Sequence, residues 1–278
     1  MKIIKGIVLC GLIMMAISCD EETMSVSDNY VVEGFIVANE PINNVTVKGI
    51  LPLERTSTGD QPIANALTQI TGGDQVVDLS YNSTSLRYED PEGLLDIDVG
   101  NVYRLEVNVN GRVATAETVV PNPPTGLALS GEEIVIPRLS VNPQLGNLVR
   151  TLFDEERLTL SWDAEEGQSF FVVIEQKADD LDPILPEQIP LATRNLIGDF
   201  RFISEPSEDN SFDIIGIALE TYGLHVAKVF TVNQEYVDLF ENLEQDSRDL
   251  NEPPTNINNA LGIFTAFAVD SLEFNVRR

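Results

Sequence analysis

Apolar and polar positions alternate along most of this chain, in short runs that recur at intervals of about ten residues. Tyr30 to Val37 (YVVEGFIV) is rich in β-branched and aromatic side chains, which suit a pleated, half-buried surface, and predicts a strand. Val45 to Leu51 alternates clearly and Pro62 to Ile70 more weakly. The clearest unit runs from Val102 to Val109, passes through Asn110-Gly111 and continues from Arg112 to Glu117. Asn-Gly fills the two left-handed positions of a type I′ turn, so this segment predicts a hairpin. Further strands are expected at residues 133–136, 157–162, 170–175, 200–203, 212–219, 224–232, 261–269 and 272–276.

One stretch carries a helical period instead. Tyr236, Leu239, Phe240 and Leu243 recur at i, i+3, i+4 and i+7, behind Asn233, Gln234 and Glu235. This predicts a helix over 233–246, capped by Asn233, with its stripe facing the core. Pro121-Asn122-Pro123-Pro124 interrupts the strand pattern, because proline has no amide hydrogen to give to a ladder. The expected fold is therefore mainly β. It comprises an N-terminal β-sandwich over 29–120, a linker at 121–125 and a C-terminal β-sandwich over 126–278 that carries the helix. Leu158-Thr159-Leu160-Ser161-Trp162 and the apolar strand after it resemble the B and C strands of an immunoglobulin or fibronectin-III-like sandwich, with Trp162 in the core. Leu181 to Leu196 holds three prolines without a period and reads as an irregular loop.

The N-terminus reads as an address. Lys2 and Lys5 flank the start of an apolar run from Gly6 to Ile17, too short for a bilayer core of ~30 Å and of signal-peptide length. The run ends in Ala16-Ile17-Ser18-Cys19, which resembles the lipobox of bacterial lipoproteins, with Ala16 where Leu is commonest. The resemblance implies cleavage after residue 18 and a diacylglyceryl group on Cys19. The alternative is an ordinary secretory signal with an incidental cysteine. Two or three acyl chains anchor a protein stably at ~0.8 kcal/mol per buried CH₂. Residues 19–28 then form an acidic tether. Its Asp20-Glu21-Glu22 resembles the signal that sends lipoproteins of Bacteroidota to the outer face of the outer membrane; the other reading is a merely solvated spacer.

Charge sharpens this picture. The 278 residues include 45 acidic and 17 basic side chains, a formal charge of -28. Removing residues 1–18 takes away Lys2 and Lys5 and no acid, which leaves 45 against 15 and a charge of -30. So acidic a chain argues against a nucleic-acid partner, which would need a basic face for its phosphates. An apolar content of 43% still supplies a core. Cys10 would leave with the signal peptide and Cys19 would carry lipid, so no disulfide is expected and core size must supply the stability.

Candidate chemistry is sparse. His225 is the single histidine and lies in an expected strand, where a packed or surface role is expected over catalysis. Zinc would need several Cys or His ligands, which the mature chain does not offer. Asp96-Ile97-Asp98 would place two carboxylates on one face of a strand, and Asp179-Asp180-Leu181-Asp182 would cluster three in a loop. Structural Ca²⁺ at either is weighed against solvated acidic loops, with neither matching an EF-hand. No cofactor is expected. Asp270-Ser271-Leu272 resembles the short O-glycosylation acceptor of exported Bacteroidota proteins, with a plain turn as the alternative for Ser271.

Several segments together resemble a Bacteroidota outer-membrane lipoprotein family of unknown function, domain-of-unknown-function family 4249. They are the lipobox, Tyr30 to Ile36, Tyr103-Arg104-Leu105 before a hairpin, Val119-Val120-Pro121, Leu160-Ser161-Trp162, the Tyr236 helix and, above all, Glu252 to Phe264 (EPPTNINNALGIF). In that last segment Ala260 stands where the family usually has Gly. The resemblance implies an accessory lipoprotein encoded beside TonB-dependent receptors, and it carries no catalytic residue to this chain. The expectation is a non-enzymatic binding or accessory module, anchored in the outer membrane, facing the exterior and working with a TonB-dependent transporter. A structural or adhesive surface protein is the alternative, and a hydrolase using two carboxylates a remote one.

Overall fold

Period-two alternation becomes strands wherever one face can be buried. The computed structural model describes residues 30–50, 61–136, 157–177, 182–184, 203–216, 219–243 and 254–278. Within them the chain forms β1 (Tyr30–Val37), β2 (Val45–Gly49), β3 (Gln61–Pro62), β4 (Leu67–Gly72), β5 (Gln75–Asp78), β6 (Ser80–Asn82), β7 (Arg87–Glu89), β8 (Val102–Val109) and β9 (Arg112–Val119). There follow β10 (Thr125–Leu129), β11 (Glu133–Val135), β12 (Arg157–Asp163), β13 (Ser169–Gln176), β14 (Asp182–Pro183), β15 (Ser211–Ile215) and β16 (Thr221–Val232). Helix α1 (Gln234–Leu243) and β17 (Leu261–Arg277) close the chain.

Three sheets result among the described residues. The largest runs β13-β16-β17-β1-β2-β7-β6, with β11 added on β17, β14 on β16 and β3 on β2. The others are β5-β4-β8-β9 and β10-β12-β15. A first core fills the space between β5-β4-β8-β9 and the β1–β2 end of the large sheet, around Val32, Val45, Ile70, Leu105 and Phe264. A second lies between β10-β12-β15 and the β13–β16 end, around Leu160, Trp162, Phe170, Val229 and Phe274. Among the described residues the protein is mainly β, with two sandwiched cores and one amphipathic helix, as the pattern predicts.

The hairpin is as expected. Asn110 and Gly111 take positive φ of 52° and 90°, and the Asn108 side-chain oxygen accepts the Gly111 amide at 2.9 Å. Tyr103, at the start of β8, forms a tyrosine corner of the immunoglobulin-like kind. Its hydroxyl donates to Asp96 O at 2.7 Å and accepts the Asp98 amide at 2.8 Å.

The division of the chain differs from the expectation. The first core includes Ile257, Phe264, Ala266 and Ala268, so it is not built from 29–120 alone. The cause is β17, one strand of 17 residues where the pattern suggested two. Its first half pairs parallel with β1, from Val31↔Leu261 to Val37↔Phe267, and its second half pairs antiparallel with β16 as far as Gly223↔Val276. Even-numbered residues Phe264, Ala266 and Ala268 enter the first core, and Phe274 and Val276 of the same parity enter the second. A single strand thus lies in one layer of both sandwiches.

Asp96 and Asp98 occupy an irregular segment rather than a strand. The alternation survives there, with Leu95 and Ile97 buried and the two aspartates exposed, because this stretch packs on the first core without a ladder partner. Short strands β5 to β7 escape the sequence pattern because most of their side chains are exposed or half-buried.

Candidate binding site

The large sheet has a second face, and it is aromatic. In β1, Tyr30, Val32 and Ile36 point into the first core while Phe35 and Val37 point the other way. In β13, Phe171 and Val173 oppose the core residues Phe170 and Val172, and β16 and β17 add Phe230, Val232 and Phe267. Helix α1 covers part of this face with Tyr236 and Val237. The rings form a connected set. Phe171 stacks on Phe230 (4.7 Å between centroids, 5° between planes) and Phe35 on Phe267 (5.9 Å, 10°). Tyr236 meets Phe267 edge-on at 5.1 Å and Phe171 at 5.6 Å. Burial raises the Tyr236 phenol above its usual pKa, so it stays neutral.

Beyond the edge of the helix the cluster opens into a hollow of about 290 Å³. Phe35, Val37 and Phe230 form its half-buried floor, with the buried rings of Phe267 and Phe171 beside them. Glu40, Asn43 and Asn44 from the β1–β2 turn line one side. Opposite them stands the ion pair of Lys228 and Glu175, 2.6 Å apart on neighbouring strands. Chemically this is an apolar floor, with its Phe35 and Phe230 rings set steeply to each other, and a rim that can both donate and accept hydrogen bonds.

A second hollow of about 260 Å³ lies on the other side of the same turn, lined by Asn39, Glu40, Leu95, Asp96 and Asp98 among others. Its carboxylates do not converge. Among the described residues no group of three or more His, Cys, Asp or Glu side chains is placed to hold a metal ion.

The residues singled out from the sequence fall elsewhere. Cys19, Asp20, Glu21 and Glu22 lie outside the described residues, as do Asp179 and Asp180. Asp182 pairs with Arg278. Ser271 is exposed within β17 rather than at a turn, opposite Lys228, and so shares the outer face with the hollow. His225 is 3% exposed and packs 5.5 Å from the Phe274 ring. Its Nδ1–H donates to Gly223 O at 3.1 Å, and desolvation lowers its pKa below the ordinary value. It is a packed histidine.

Sequence reasoning did not find the hollow. A signal existed, since Tyr30–Val37 and Phe170–Ile174 carry apolar residues on both faces, but that pattern does not say what covers the second face.

No family model matches the chain, and no curated protein matches it. Solved structures similar to it include a segment of two fibronectin type-III domains from chicken tenascin, at 10% identity, covering 89% of this chain and 99% of that one, with a TM-score of 0.24. A cytokine receptor complex is similar at 12% identity, covering 87% of this chain and 94% of that one, with a TM-score of 0.25. Likeness at this level adds nothing to the architecture read directly from the sheets. Among the described residues no helix is long and apolar enough to cross a membrane.

Proposed function

We propose that this protein is a surface-exposed outer-membrane lipoprotein, anchored through Cys19, that serves as a non-catalytic binding and accessory module beside a TonB-dependent transporter. The address rests on the signal-like run, the Ala16-Ile17-Ser18-Cys19 lipobox and the acidic residues 20–22. The observation that carries the binding role is the hollow on the outer face of the large sheet. An uncovered platform of Phe35, Val37 and Phe230 faces solvent beside a rim of amides and charges, where a soluble protein gains nothing by leaving rings half-buried. The transporter partnership rests on the family resemblance of residues 252–264 and the other segments. Isolation of tagged protein from solubilised outer membranes tests it. A receptor of the TonB-dependent class should co-isolate; repeated recovery of the lipoprotein alone overturns the accessory role.

A further inference from the structure

The floor and the rim of the hollow differ in chemistry, and a ligand must satisfy both. Phe35, Val37 and Phe230 offer apolar surface braced from the side, because Phe267 and Phe171 on neighbouring strands stack against the two phenyl rings. A platform fixed before binding costs little ordering entropy. The rim is polar and mixed. Asn43 and Asn44 can donate and accept, Glu40 accepts, and the Lys228–Glu175 pair presents both an ammonium and a carboxylate.

An aliphatic chain would use the floor and leave the rim groups desolvated without partners. An organic cation would meet Lys228, whose ammonium already offsets Glu175. A pyranose ring meets both demands on one rigid body, with a C–H face for one phenyl ring and hydroxyls around its edge that donate and accept. A volume of about 290 Å³, at the small end of ligand sites of ~300–1,000 Å³, suits one or two such rings.

We propose that this hollow is a saccharide-binding site, in which the sugar's C–H face packs on the Phe230 ring, Phe35, set steeply to it, closes against the sugar's side, and Asn43, Asn44, Glu40 and the Lys228–Glu175 pair hold its hydroxyls. The proposal rests on the binding-module reading above and names its ligand class.

Saturation-transfer NMR on the full mature protein tests it. The probes are methyl β-glucoside, methyl β-galactoside, N-acetylglucosamine and cellobiose, each at about 20 mM, enough to populate a site with a Kd of ~1 mM. At least one should receive saturation at its ring C–H protons. Phe230→Ala should weaken that sugar by about tenfold, a stacking loss of the size aromatic contacts supply. Asn43→Ala and Glu40→Gln change exposed turn residues, leave folding intact, and should each weaken it several-fold. Absence of transfer to all four probes overturns the proposal, as does transfer that the three variants leave unchanged. Displacement of the sugar by tetramethylammonium at lower concentration than by a second sugar also overturns it, in favour of a cation site. Receptor co-isolation is read separately: its failure with sugar binding intact removes the transporter role and leaves the saccharide site standing.

Discussion

Gly262 shows how one residue of the closing strand answers to geometry. Its φ is +115°, and a Cβ built on it would lie 1.9 Å from Val32 O, its own register partner across the parallel β1–β17 pairing. No rotamer relieves a clash with backbone, so Gly262→Ala should destabilise the fold by about 3 kcal/mol or more, seen as a lowered urea midpoint. His225 is informative for a different reason. Its folded pKa lies below the ordinary 6.5, so as pH falls the unfolded chain takes up the proton first. Its share of stability is complete above pH 6.5 and is lost between 6.5 and the lower folded value. His225→Phe, which replaces the ring beside Phe274 with another, should flatten the fall in urea midpoint between pH 7 and about 5.5. An unchanged fall would place the titration elsewhere.

At the scale of elements, the hairpin β8–β9 was legible because its register depends on two adjacent residues with positive φ. Helix α1 was legible in its period but not in its start. From the sequence, Asn233 caps it by accepting from a first-turn amide. Instead its side-chain amide donates to Val119 O at 2.8 Å, to Thr118 Oγ1 at 3.0 Å and to Ala266 O at 3.4 Å. It fastens the helix to β9 and β17, with Glu235 accepting from Thr118 at 2.9 Å. The two roles predict opposite outcomes for Asn233→Asp. Aspartate is an equal or better cap but cannot donate, and it would face two carbonyl oxygens. The bridging role therefore predicts a loss of about 1–3 kcal/mol in chemical denaturation, where a cap would show none. Sequence could not distinguish the two, because the partners lie more than 30 positions away in the chain.

For the whole molecule, β17 makes one body of two cores. Trp162 is the single tryptophan and sits in the second core, 5.5 Å from Phe170, so its fluorescence reports that core. Phe264 is fully buried in the first. If the shared strand couples them, Phe264→Ala should shift the Trp162 unfolding transition by about 3–5 kcal/mol, together with the far-ultraviolet signal. Independent cores would leave the tryptophan transition in place while circular dichroism splits into two steps.

Alternation alone determined that this chain builds sheets, because period two buries one face of a strand whatever its partner is. Asn110-Gly111 placed the hairpin, a period of about 3.6 residues the helix, and the resemblance to sandwich B and C strands put Trp162 in a core. Pairing was decided only in three dimensions. Residues 261–267 could join β1 or extend the second sandwich with the same local pattern, and the choice depends on which edges remain unpaired once the chain has collapsed. That choice carries the C-terminal strand across both cores and turns Phe35, Phe230 and Phe267, far apart in sequence, toward one outer face. The hollow they floor is therefore a property of the assembled sheet, and no local stretch of sequence contains it.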